Sequence, residues 1–270
     1  SELIMNIIKI AKKEILFNFR NYWVFLSALI FCIINFVIIY FGETISGDYS
    51  QTDIRSLSLS IIHLQMYLIP LLSFILSYDS ILFEKELGVF DLILSYRITL
   101  LDVFMGKLFG NSFIFLISFF IGFFPVAIYL FLLGISFYVL IKFIIVSIWL
   151  SFVFNAIAIY ISYLSKDRTF VILLSIFIWL FFIFIYDILF TFVAIISYGT
   201  LSSNILSIFL FLNPAEIFRL MSIFYFIPYE ANELFGINVG ALNSFYIIIS
   251  MFLWFIFAIA IFLFTYTNKR

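Results

Sequence analysis

The chain has 270 residues, 66% of them hydrophobic and only 11% charged, with a formal net charge of −1. An ordinary soluble domain is about 25% charged, so this composition excludes a water-soluble surface and points to an all-α, polytopic membrane protein with the lipid bilayer as partner and no nucleic acid. The single cysteine, Cys32, excludes an internal disulfide and every cysteine-rich zinc site, and buried packing is its expected role.

At the start of the chain, Ile7, Ile8, Ala11, Ile15 and Phe19 recur at three- and four-residue intervals, with Lys9, Lys12, Lys13 and Asn18 on the other side. This pattern predicts an amphipathic interfacial helix over residues 1–21, either a surface anchor or a docking face for a cytoplasmic partner. Charges interrupt the first twenty residues, so no cleavable leader is expected. A helix needs about 20 apolar residues to cross about 30 Å of hydrocarbon. Six stretches meet that need: 22–41, 57–80, 108–133, 137–164, 170–196 and 244–267. With 41 Phe and 16 Tyr, their contacts are expected to rest on large side chains and aromatic belts rather than on many small-residue crossings.

Span two carries His63, Met66 and Pro70, and is followed by a connector over 84–107. The connector opens with Glu84-Lys85-Glu86, breaks at Gly88, and runs through Asp91-Leu92-Ile93-Leu94-Ser95-Tyr96 to Lys107. Its carboxylates, Glu84, Glu86, Asp91 and Asp102, gain little from anionic lipid, which favours docking on another protein over lying on the bilayer. Pro125 marks a bend in span three, and Asn35 and Asn155 are expected to bridge helices. Between spans five and six, residues 197–243 are too long for a hairpin and contain Asn213, Pro214, Pro228, Gly236 and Gly240 as breaks. Short helices on the outer leaflet or a re-entrant hairpin would suit them. An even number of spans puts both termini on one side. If that side is the cytoplasm, only Arg55, Lys142 and Arg219 of the 14 Lys and Arg lie outside, a positive-inside bias that makes both termini cytoplasmic.

Catalytic groups are scarce. No G-x-x-x-x-G-K-[ST] loop exists, since Gly106-Lys107 is followed by Leu108, so ATP hydrolysis must reside in another chain. His63 and Met66, one helical turn apart, are weak candidates for a soft metal ion, and packing is the preferred reading. One histidine without a nucleophile setting argues against an intramembrane protease. Apart from Asp79 at the inner end of span two, Asp187 is the one carboxylate inside a spanning window. A central Asp costs about 2.5–3.5 kcal/mol to insert, so it should face protein or a wet outer cavity. Lys142 is a candidate partner, and a direct substrate contact is the alternative.

The polar islands resemble the ABC-2 type permeases of ABC transporters. Leu76-Ser77-Tyr78-Asp79-Ser80-Ile81-Leu82-Phe83-Glu84-Lys85-Glu86-Leu87-Gly88, the following Asp91 to Tyr96 stretch, Gly106-Lys107, Arg20-Asn21-Tyr22-Trp23 and Asn213-Pro214-Ala215-Glu216-Ile217-Phe218-Arg219 carry the likeness. Within that superfamily they look most like the branch serving nitrous-oxide reductase maturation. One departure is Arg97, where the family pattern has proline.

The resemblance implies a homodimer working with two copies of a cytoplasmic ABC ATPase. That partner would hold ATP and magnesium, and the permease itself would bind no cofactor. Glu84, Glu86, Gly88, Asp91, Leu92, Leu94 and Tyr96 would form the coupling helix. In the branch it most resembles, the further partners would be a periplasmic β-helical protein and a copper chaperone, with copper in the assembled system. Asp187, Glu216, Arg219, Glu230 and Glu233 would then form the face toward the periplasmic partner or an outer cavity. The competing readings are an ABC-2 exporter of a lipid, peptide or drug, and a carrier or channel that needs no ATPase.

Overall fold

The computed structural model describes residues 2–20, 22–46, 51–96, 98–196, 209–226 and 244–267. Every regular element among them is helical: α1 (Glu2–Arg20), α2 (Trp23–Ser46), α3 (Gln51–Ser77), α4 (Leu82–Glu86), α5 (Val89–Ser95), α6 (Leu100–Leu132), α7 (Phe137–Leu164), α8 (Arg168–Leu180), a π-helical turn (Phe181–Ile185), α9 (Tyr186–Ile196), α10 (Pro214–Phe226) and α11 (Ser244–Thr267). Four stretches are long and apolar enough to cross a bilayer: Ile54–Glu86, Leu100–Leu132, Phe137–Leu164 and Arg168–Val193. A fifth exists if Ile4–Arg20 and Val24–Tyr40, bent by 66° from one another, count as one span. Within α11 the apolar stretch Ile249–Ala260 is shorter. Four or five candidates thus stand against the six that the apolar runs suggest.

The bend between α1 and α2 falls at Tyr22, whose φ of 58° is uncommon for a residue with a side chain. From there both helices pack along α6. Gly106 and Gly110 lie four apart on α6, and a Cβ on either would stand 2.6 Å from Ile10 Cβ or 2.7 Å from Glu14 Cβ. Gly122 admits Phe31 of α2 in the same way. Small residues let helix backbones approach closely in a membrane. This close crossing stands beside the expected contacts between large side chains. Aromatic rings fill the space beyond it: Phe31 meets Phe115 and Phe119 edge-on at 5.8 and 5.4 Å, and Phe143 lies 5.3 Å from Phe123 and 5.7 Å from Phe218.

Two further expectations change for the same geometric reason. Because α1 presses on α6, Glu14 and Asn18 are buried, although Asn18 belongs to the polar side of the amphipathic pattern, and Ile8, Leu16 and Phe17 are left exposed. On α2, Phe31 and Asn35 take the interior face, so Cys32 is exposed rather than buried.

Polar side chains tie the bundle together, as expected for Asn35 and Asn155. Gln65 Nε2 donates to Asn35 Oδ1 at 2.8 Å, joining α3 to α2. Ser77 Oγ donates to Asn155 Oδ1 at 2.8 Å, and Asn155 Nδ2 donates to Ser112 Oγ at 3.3 Å. Asn111 links α6 to two helices, donating to Ser77 Oγ at 2.9 Å and accepting from Asn18 Nδ2 at 3.2 Å. Each such bond contributes about 0.6 kcal/mol in a membrane protein. Together they fix helix register where the apolar faces alone would slide. Pro70 and Pro125 sit inside α3 and α6.

Candidate functional site

The connector between α3 and α6 is built from short-range chemistry. Gly88 takes φ 67°, a left-handed conformation that a side chain would resist, and so it turns α4 into α5. The first amides of α4 have no cap of their own. Ser162 of α7 supplies one, its Oγ accepting from Ile81 N at 3.1 Å and Leu82 N at 3.0 Å. Downstream, Thr99 and Asp102 form a reciprocal capping box that starts α6 at Leu100. The last part of the expected 84–107 connector is therefore the first two turns of α6. Asp102, counted there among the docking carboxylates, is buried as a capping residue.

Behind the connector, Lys107 is 1% exposed. Its ammonium pairs with Glu14 of α1, lies 3.1 Å from Glu84 Oε1 of α4, and donates to the Ser80 carbonyl at 2.8 Å. Lys13 Nζ reaches the same Glu84 oxygen at 2.7 Å from the surface. A buried lysine survives only when paired and hydrogen-bonded, and these four side chains neutralise one another. Glu84, expected on the docking face, instead points inward, because that is where its two lysines are. Lys85 donates to the Tyr163 carbonyl and lies 4.5 Å over the Tyr163 ring. Glu86 stays at the surface, where Arg168 Nη2 meets its Oε2 at 2.6 Å. The outward face of the connector holds Gly88, Asp91, Leu92 (56% exposed) and Tyr96 (66% exposed), with Leu94 half-buried. Arg97 lies outside the described residues.

A second polar cluster forms at the far end of the bundle. Asn213 caps α10, its Oδ1 accepting from Ala215 N at 2.9 Å, while its Nδ2 donates to the Phe182 carbonyl in the π-helical turn at 2.7 Å. This anchors α10 beside α9 and sets Arg219 between two carboxylates. Arg219 Nη2 lies 2.5 Å from Glu216 Oε2 and 3.8 Å from Asp187 Oδ1. Glu216 is buried, and that burial pushes its carboxyl up to about 7, against the opposing pull of Arg219 and with a further push from Asp187. Asp187 remains 43% exposed. His63, half-buried on α3, is within electrostatic range of Arg219 and Asp187. Three expected outer residues, Asp187, Glu216 and Arg219, are thus brought together, while Glu230 and Glu233 lie outside the described residues.

The pairing of Asp187 with Lys142 is not what forms. Lys142 instead sits 4.1 Å over the Tyr138 ring and 4.6 Å over the Tyr225 ring, because α10 interposes Arg219 at Asp187. Met66, the other half of the soft-metal pair, is packed in the core. Among the described residues no group of three or more His, Cys, Asp or Glu stands close enough to hold a metal ion. Sequence reasoning missed the Lys107 centre and the role of Glu14. The GKLFG spacing at Gly106 and Gly110 was the available signal, since it marks a helix-packing face.

Comparison with known proteins agrees with this architecture. The profile of the ABC-2 family transporter proteins matches residues 8–268. The Probable ABC transporter permease protein NosY of Stutzerimonas stutzeri is 30% identical over 220 residues, covering 79% of this chain and 80% of the relative. The protein of the same name from Pseudomonas aeruginosa is 32% identical over 114 residues, 42% of each chain. The chain is a multi-pass protein of the cell membrane and belongs to the ABC-2 family of transporters.

Proposed function

We propose that this chain is the membrane subunit through which a separate ATPase works, and that α4 and α5 form the element on which that ATPase pushes. Membership of the ABC-2 family implies a non-catalytic transport subunit and an ABC ATPase partner. In this reading α1 lies along the membrane surface, six spans follow, and both termini are cytoplasmic. Two permeases pair as a homodimer with two ATPase copies, which hold the ATP and magnesium. The likeness to NosY extends the reading to copper-linked maturation of nitrous-oxide reductase, with a periplasmic β-helical protein and a copper chaperone as partners. Movement of the far end, where Asp187, Glu216 and Arg219 meet, would be the output, and copper need not touch this chain.

The observation that carries the proposal is the mounting of the connector. Its exposed Leu92 and Tyr96 project outward, while Glu84, Lys85 and Glu86 bind it to α1, α6, α7 and α8. Force applied to such an element reaches four helices at once. The polar interior supports a transmitter over a conduit, since Asn35, Asn111 and Asn155 bond across helices rather than line an aqueous path.

The test is co-purification with the ATPase of the same system. Asp91→Lys combined with Leu92→Ala and Leu94→Ala should weaken association by about tenfold or more, the scale of an interface centre, with the fold intact by circular dichroism. Undiminished association would refute the coupling surface. Complete transport by the isolated chain in vesicles would refute the subunit reading.

A further inference from the structure

We propose that a groove between α7, α10 and α11 binds an anionic phospholipid, its phosphate on Lys142 and one acyl chain along the apolar wall below. The groove has a volume of 350 Å³, and its lining includes Lys142, Trp149, Tyr225, Met251 and Phe252. This inference rests on the membrane setting and not on the ATPase reading.

Lys142 lies five residues into α7, about 7.5 Å along the helix at 1.5 Å per residue. The exposed Phe137 and Tyr138 mark the helix start, so Lys142 sits at the depth of the boundary between headgroups and acyl chains. A cation there needs compensation. The two tyrosine rings attract it through their faces, but they carry no formal charge. Among the described residues no carboxylate pairs with Lys142, and its ammonium has three protons to donate. Among the described residues, the charge at the groove therefore has no neutralising anion.

The wall beneath is mainly apolar. Trp149 spends its one polar hydrogen on the Met251 carbonyl at 3.1 Å, and Met251 and Phe252 present only apolar surface to the groove. Phe252 is exposed, so the groove opens sideways to the bilayer. A positive charge over an apolar channel matches a phosphate ester carrying a hydrocarbon chain. The larger cavity of 480 Å³ between α6 and α7 makes the contrast: Phe, Ile, Leu and Ala line it throughout, so it has nothing with which to select a headgroup.

The experiment uses native mass spectrometry on the full chain in detergent, titrated with phosphatidylglycerol, phosphatidylcholine and soluble glycerol phosphate. Wild type should prefer phosphatidylglycerol. Lys142→Gln should lose about fivefold in its affinity, the weight of one basic residue at an anionic membrane surface, and Lys142→Arg should restore it. Ile145→Trp, which fills the groove and leaves Lys142 in place, should lower retention of both lipids. Equal phosphatidylglycerol binding by Lys142→Gln, or competition by glycerol phosphate at concentrations comparable to the lipid, would overturn the proposal. So would disulfide formation between two copies carrying Phe252→Cys in a Cys32→Ser background, because a second copy would then occupy this face.

Discussion

The two polar clusters of this protein use the same charged groups to opposite effect. At the connector end, Lys107 and Lys13 face Glu14 and Glu84, two charges against two, and the central lysine is sealed from water. At the far end one arginine serves two carboxylates, one buried and one open. In the first cluster each carboxylate has a lysine partner, so ion pairing holds its geometry in the folded protein. The second holds an excess negative charge whenever Glu216 is ionised, and binding a proton removes that excess. A joint that must transmit force benefits from the first arrangement. A face that must change partner or position benefits from the second.

The sharpest way to break this contrast is Lys107→Met. It leaves Glu14 and Glu84 facing each other in the interior, and losing one member of a buried pair costs about 3–5 kcal/mol. The variant should lose its folded peak in size-exclusion chromatography or melt far below wild type. Adding Glu14→Gln and Glu84→Gln should recover much of the loss. A wild-type melting temperature for the single variant would show that the centre is not a structural joint.

The far end is predicted to respond to pH. The carboxyl of Glu216 is raised from 4.5 to about 7, so its protonated form favours the folded state. That contribution is complete below about 4.5 and is lost as pH rises through about 7. Its full size is about 2–3 kcal/mol, allowing for screening at the open Asp187 side. Glu216→Gln should flatten the pH dependence of melting and be more stable than wild type at pH values above about 7. Identical pH profiles for variant and wild type would remove the distinction between the two clusters. The smallest effect belongs to Arg168→Gln. Its pair with Glu86 is largely exposed, and such surface pairs contribute about 0–1 kcal/mol. Thermal stability should barely move, and a large drop would mean that the closed joint extends to the surface.

Long apolar runs made the helices legible in the sequence, since the other structure that satisfies its backbone inside lipid, a closed barrel, uses short alternating strands. The break at Gly88 was legible too, whereas Asp187, Glu216 and Arg219 were grouped only through the family resemblance, and the residues alone suggested Lys142 as the partner of Asp187. The Lys107 centre was not. Glu14 and Lys107 are 93 residues apart, and no periodicity pairs residues at that distance. Amphipathic patterning also misled at Asn18, because a polar stripe on a surface helix can face a polar stripe on its neighbour as readily as water. The start of α6 was hidden by composition: Leu100 to Lys107 carries enough charge to read as connector, and only the Thr99 and Asp102 capping box shows that the helix has begun.

The π-helical turn at Phe181–Ile185 widens the ladder of its helix, with Tyr186 N bonded to the Phe181 carbonyl, and the next carbonyl, that of Phe182, accepts the Asn213 side-chain amide. In oil a stranded carbonyl is expensive. The irregularity in one helix thereby becomes a socket for the segment that begins α10, and neither piece is comfortable without the other. Moving α10 away from this helix would therefore uncover that carbonyl and the Asn213 amide together, so the cost of separating them falls on both pieces at once.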